Sequence, residues 1–349
     1  YGKTEVAVRA SFKAINDGKQ VAIVVPTTIL AEQHLATFRE RFSRYPVNID
    51  CLSRFRTRKE QTQIIKDVHS GKVDIIIGTH RLLQKDIDFK ALGLLIIDEE
   101  QRFGVKHKER LKKKRSTVDV LALTATPIPR TLHLSLTGMR DISIINTPPA
   151  DRQAILSYIS QYKDGIVKQA IRRELDRKGQ VFYVHNEVKT ISKTAEKLSA
   201  LMPEARIGIA HGQLRENELE KVMLQFINSE IDVLVCTTII ESGLDIPSAN
   251  TMIINKTEKF GLSQIYQLRG RIGRGDYQAY AYLFIHDETR LTKDAKKRLA
   301  ALMEFKDLGS GFRIAMKDLQ IRGSGSALGA SQSGHIAAIG YDMFLKLLD

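Results

Sequence analysis

Short apolar runs recur along the chain, and most stay apolar for several positions without alternating with polar residues. In the first part they are VAIVV (21–25), DIIIGT (74–79), LGLLIIDE (92–99) and VLALTAT (120–126). Farther on come VFYVHN (181–186), IGIAHG (207–212), DVLVCTT (232–238), TMIIN (251–255) and YAYLFI (280–285). A continuous apolar run predicts a strand buried on both faces, as in a parallel sheet covered by helices. Helix-like stretches lie between the runs, which predicts an α/β fold. Two sets of runs predict two α/β lobes.

The boundary between the sets is INTPPADRQ (145–153), where paired prolines stop a helix and favour an extended linker. After residue 290 the strand pattern ends. LTKDAKKRLAALMEF then has the spacing of an amphipathic helix, RGSGSALGASQSG (322–334) reads as a glycine-rich loop, and a short helix ends in FLKLL. The expected domains are 1–147, 148–286 and a separate appendage, 287–349.

A chain of 349 residues suffices for two or three domains with cores, and 43% hydrophobic with 27% charged residues is ordinary for a soluble protein. No apolar run approaches the length of a membrane-spanning helix, and residues 1–20 are too polar for a secretory leader. Cys51 and Cys236 stand far apart without metal-ligand spacing, which points to a reduced, cytoplasmic compartment. The formal net charge of +14 adds a partner class, a polyanion. Charge alone separates neither DNA from RNA nor a polyanion binder from a merely basic enzyme.

Four stretches carry chemistry. Gly2-Lys3-Thr4 looks like the end of a phosphate-binding loop: the lysine reaches phosphate oxygens, and the hydroxyl ligates Mg²⁺. The first glycine of such a loop is not in the sequence, so the chain is expected to be truncated within it. LLIIDEEQ ends a strand in Asp98 and Glu99, one carboxylate for Mg²⁺ and one to polarise the attacking water. TATPIPRT (124–131) places Thr124 and Thr126 at the tip of the next strand, where they link nucleotide state to lobe movement. QLRGRIGR (267–274) carries Gln267, with Arg271 and Arg274 expected near one helical face, as guanidiniums for a γ-phosphate. Together the stretches form the parts of one Mg–ATP site.

With these residues in place, the chain resembles a superfamily 2 helicase or translocase core along nearly its whole length. Gly2-Lys3-Thr4, VVPTTILAEQH, GTHRLL, DEEQ, TATP, FYVHNEV, CTTIIESGLDIP and QLRGRIGR are similar to motifs I, Ia, Ib, II, III, IV, V and VI. The resemblance implies two RecA-like P-loop lobes with ATP in the cleft between them. It places Glu241, Gly243 and Asp245 of motif V beside the cleft and the nucleic acid. DEEQRFGVKHKER, GMRDISIINTPPADR, SRFRTRKEQ and DLQIRGSGSALGASQSG resemble the bacterial transcription–repair coupling factors more than the RecG branch-migration helicases, which typically read DEQHRFGV and RGPGEFLGTRQSG.

That resemblance implies an ATP-driven translocase on double-stranded DNA that displaces stalled RNA polymerase and recruits excision-repair proteins through regions not in this sequence. It makes 287–349 a helical-hairpin translocation module in which Arg298, Arg322 and Gln332 couple lobe closure to DNA. GSALGASQSG lacks acidic residues usual in the family. The DNA track is expected to use Thr27, Thr28, Arg54, Arg56, Thr79, His80 and Arg81 in the first lobe, and His211, Gly212, Arg215, Thr237 and Thr238 in the second. Backbone contacts suffice for a motor indifferent to sequence. KHKERLKKKR (106–115) either touches DNA or is a solvated helix face. Two other readings stay open: a RecG-like remodeller of forked DNA, and a fragment that grips DNA without ATPase activity.

Overall fold

The computed structural model describes residues 2–84, 86–99, 103, 118–124, 141, 143, 145, 147, 153–238, 243–275, 277–287, 289, 291–304, 313–314, 317–318 and 321. They divide into two compact units, one within Tyr1–Ala125 and including 243–245, the other within Thr126–Glu241 and Ile246–Asp349.

The first unit holds a parallel sheet of β1 (Gln20–Val24), β2 (Ile49–Leu52), β3 (Ile75–Gly78), β4 (Leu92–Asp98) and β5 (Asp119–Leu123), in the order β2-β3-β1-β4-β5. Every residue of the central β1 is buried; Val21, Ala22 and Ile23 stand in register with Ile75, Ile76 and Ile77 on one side and Leu94, Leu95 and Ile96 on the other. This is why VAIVV shows no polar alternation. Among the described residues the unit's helices are α1 (Lys3–Asn16), α2 (Thr28–Arg41) and α3 (Arg58–Ser70). A capping box starts α3: Glu60 N donates to Thr57 Oγ1 at 3.3 Å, and Thr57 N donates to Glu60 Oε2 at 2.6 Å. Gly71, at φ 80°, ends it.

The second unit holds a parallel sheet of β6 (Leu156–Gln161), β7 (Gln180–Val184), β8 (Ile207–Ala210), β9 (Val233–Cys236), β10 (Ala249–Ile254) and β11 (Tyr280–Ile285), in the order β6-β11-β10-β7-β9-β8. Its helices are α4 (Asp164–Asp176), α5 (Val188–Leu201), α6 (Glu216–Ile227), α7 (Leu262–Arg269) and α8 (Lys293–Glu304). Val181, Tyr183, Val233, Val235 and Ile253 form the centre of its core. The helix expected in the appendage is α8, which packs on α7 and buries Ala295, Leu299, Ala301 and Leu302.

One device recurs in both units. Gln20 opens β1, and its buried Nε2 donates to Val68 O (2.9 Å) and Val73 O (2.8 Å), while Ala91 N donates to its Oε1 (3.0 Å). Gln180 opens β7, and its Nε2 donates to Phe226 O (2.7 Å) and Ile231 O (2.6 Å), while Ser248 Oγ donates to its Oε1. In each unit one amide closes the turn between a helix and a neighbouring strand and braces the strand on the other side. The lobes are therefore structural repeats down to a hydrogen-bonding residue, although their sequences share little beyond QV and an apolar run.

Both cysteines are buried. Burial pushes both thiols up, Cys51 to about 12, so both act as core residues rather than nucleophiles. Among the described residues no helix is long and apolar enough to cross a membrane.

Candidate nucleotide site and nucleic-acid interface

The site in the first unit forms where α1 begins and β4 ends. Gly2 precedes α1 at φ 65°, with no side-chain cap, so the first backbone N–H groups of the helix are left for another acceptor. Lys3 and Thr4 are its first two residues. Lys3 Nζ stands 3.7 Å from Asp98 Oδ1 and 3.4 Å from Glu99 Oε1. The spacing of almost a hundred residues between the two motifs thus closes to ion-pair distance. Glu99 is buried and adopts φ 53°, a left-handed backbone uncommon for a side chain, and its N–H donates to Leu123 O at the end of β5 at 2.9 Å. That bond fixes the carboxylate's backbone beyond the strand tip.

A residue that the motifs did not single out completes the cluster. His34, buried on α2, places Nε2 3.2 Å from Asp98 Oδ2. Burial pushes the Asp98 carboxyl up, but the His34 hydrogen bond and the Lys3 charge outweigh it and hold the group below its ordinary range. The one available signal was the closing histidine of VVPTTILAEQH. Asp98 Oδ1 is buried without a hydrogen bond and faces the Lys3 ammonium. A buried carboxylate oxygen with unused lone pairs, next to a helix N-terminus and an ammonium, fits a phosphate–Mg²⁺ group. Among the described residues no group of three or more His, Cys, Asp or Glu side chains is arranged to hold a metal ion. Mg²⁺ would rest on Thr4, Asp98 and nucleotide oxygens.

The first-unit residues expected on DNA already serve local structure. Thr27 caps α2, accepting from Leu30 N at 3.3 Å, and Thr28 is buried, with Arg54 Nη2 3.5 Å from its hydroxyl. Arg56 pairs with Glu32 at 3.3 Å. Thr79 precedes a 3₁₀ turn, His80–Leu83, and Arg81 pairs with Asp86. Thr124 follows β5 and is partly buried. Thr126 and residues 106–115 lie outside the described residues.

In the second unit Gln267 lies on α7, but the helix ends at Arg269. Arg271 and Arg274 therefore do not share a helical face, contrary to the spacing argument. Gly270 caps the helix, and Gly273, at φ 68°, turns the chain between the two arginines. Arg271 is buried and Arg274 partly buried. Gly243 adopts φ 89°. Asp245, which belongs to the first unit, receives Gln33 Nε2 on its carbonyl at 2.9 Å and donates its N–H to Gln33 Oε1 at 3.2 Å. His211 follows β8 and accepts at Nδ1 from Gln213 N at 3.3 Å; Gly212 comes next, and Arg215 precedes α6. Thr237, next to Thr238, is buried beyond β9. Arg298 Nη2 donates to Glu258 O at 3.2 Å. Glu241, Arg322 and Gln332 lie outside the described residues.

Residues 1–134 match the DEAD/DEAH box helicase family, and residues 163–276 match the helicase conserved C-terminal domain. The chain is 58% identical over 348 residues to the transcription-repair-coupling factor of Bacillus subtilis and 56% identical over 349 residues to that of Escherichia coli. Each match covers 100% of this chain and 30% of the relative, so the chain spans less than a third of their length. The structure of RecG bound to a three-way DNA junction matches with TM-score 0.80 and 36% identity, over 99% of this chain and 46% of that one.

Proposed function

The chain belongs to the superfamily 2 helicases and carries their RecA-like core, and from that premise we propose that it is the motor of an ATP-dependent translocase on double-stranded DNA. The observation that carries this reading is the Lys3 ammonium held against both Asp98 and Glu99. Lys3 and the N–H groups that open α1 bind the β- and γ-phosphates. Thr4 and Asp98 hold Mg²⁺, which neutralises charge on the phosphates when bound. Glu99 orients and polarises water, and His34 keeps Asp98 aimed and ionised. Gln267, Arg271 and Arg274 are assigned to the charge that develops on the transferred phosphoryl group, where a well-placed arginine is worth about 10³–10⁵ in rate. Gly243 and Asp245 are assigned to the nucleotide. The threonines, arginines and histidines at the strand ends, with Thr124 and Thr126, are assigned to the DNA backbone and its coupling. Residues 1–147 and 148–286 are the lobes, and 287–349 is a coupling module that acts through Arg298, Arg322 and Gln332.

Similarity to transcription-repair-coupling factors along the whole of this chain supports a role in displacing stalled RNA polymerase and recruiting excision-repair proteins in the bacterial cytoplasm. The RecG likeness supports a second reading, remodelling of branched DNA. Placing the chain in the context of its longer relatives and comparing polymerase displacement with fork regression separates the two. Displacement without regression is the expected result.

A further inference from the structure

The carboxyl ends of β7 and β10 carry a polar cluster that the nucleotide chemistry does not use. His185 follows β7, with Glu187 two residues on, and Asn255 and Lys256 follow β10. Thr237 follows the neighbouring β9 and His211 follows β8, so the cluster continues a polar row along one edge of the sheet. Open α/β sheets bind ligands beyond the carboxyl ends of their strands.

The hydrogen bonds run in one direction. Asn255 Nδ2 donates to His185 Nδ1 at 3.1 Å, so His185 carries its proton on Nε2 and donates it to Thr190 Oγ1 at 2.7 Å. The Thr190 hydroxyl donates to Glu187, within reach of Oε2 at 3.2 Å and of the backbone carbonyl at 3.3 Å. Glu187 also accepts from Lys259 Nζ at 2.6 Å and from Lys256 Nζ at 3.1 Å. Lys259 and then Lys256 hold the Glu187 carboxyl down at about 2, and burial holds His185 below its usual value and neutral.

Two ammonium groups bond one carboxylate, Glu187, so that contact carries a positive excess suited to a phosphodiester, while Glu258, between the lysines in sequence, has its Oε2 buried. Both lysines reach solvent, with side chains 29% and 55% exposed. Lys256 is held at φ 54°, a conformation that costs a side-chain-bearing residue energy unless its surroundings demand it. We propose that Lys256 and Lys259 form a contact for a backbone phosphate of duplex DNA, with Glu187 holding the phosphate's place while DNA is absent. This rests on the DNA-binding reading above. When the phosphate displaces it, Glu187 keeps its link through Thr190 to buried His185, so the contact is felt at the end of β7. The same turn presents the Glu258 carbonyl to Arg298 on α8, so it is also felt by the terminal helix.

The test is the salt dependence of binding to a duplex of random sequence, by fluorescence anisotropy, for the wild type, Lys256→Gln/Lys259→Gln and Glu187→Gln. For the lysine variant, the slope of log K against log[salt] falls in magnitude by about one. Glu187→Gln tightens binding, a change that misfolding cannot produce. Unchanged slopes in variants of a chain that binds duplex overturn this inference alone, whereas a wild type that binds no duplex overturns the reading beneath it. Parallel titration with ATP is expected to show no change. A loss of ATP affinity with an unchanged DNA slope assigns the lysines to nucleotide and also overturns the proposal.

Discussion

His34 Nε2 lies 3.2 Å from Asp98 Oδ2, joining the buried face of α2 to the tip of β4. Removing the imidazole takes away the hydrogen bond to Oδ2 and leaves the buried carboxylate beside the Lys3 ammonium. His34→Ala is expected to cost roughly 1–3 kcal/mol, the usual range for a buried polar group that loses a partner. It is also expected to weaken Mg·ATP binding. Thermal melting and nucleotide titration check both, and His34→Asn, which keeps a donor, should recover part of the loss.

The same contact sets a response to acid. The fold holds the Asp98 carboxyl below its ordinary range, so the ionised form is favoured in the native state. Its contribution is complete above the unfolded value of about 3.9 and fades as pH falls through the folded value. Asp98→Asn should therefore melt below wild type near neutrality, and the gap should close in acid. A gap that is constant with pH contradicts this.

Gln20 and Gln180 each donate to two carbonyls inside their own lobe. Replacing either by alanine removes both bonds, with Val68 O and Phe226 O keeping the N–H of Gly71 and of Ser229, at roughly 1–3 kcal/mol. The damage should be local. Hydrogen exchange in Gln20→Ala should quicken in β1 and β3, and in Gln180→Ala in β7 and β9. Equal loss of protection in both lobes would contradict two separately braced units.

Much of this was legible in the sequence because central parallel strands must be apolar on both faces. Each of the nine runs overlaps a strand. Two strands escaped, β2 (IDCL) and β6 (LSYISQ), and both lie at sheet edges, where half-exposed positions interrupt the apolar run. Lys3, Asp98 and Glu99 were legible as neighbours, because a phosphate-loop ending opens a helix and an apolar run ends in two carboxylates, and the structure brings the three together. Arg271 and Arg274 were misplaced on a helix because spacing of three ignores the glycines that end it. His34, Glu187, Lys256 and Lys259 were illegible as partners, because their contacts join segments distant in sequence.

Steady-state ATP hydrolysis with and without duplex DNA decides whether Glu99 activates water for DNA-driven hydrolysis, as proposed. The measurement compares wild type with Glu99→Gln, each placed in the context of the longer relatives. Wild type should be stimulated by duplex, and Glu99→Gln should lose that rate by about 10²–10⁴-fold while still binding nucleotide. A DNA-stimulated rate that survives Glu99→Gln unchanged, or a wild type that duplex does not stimulate, would contradict it.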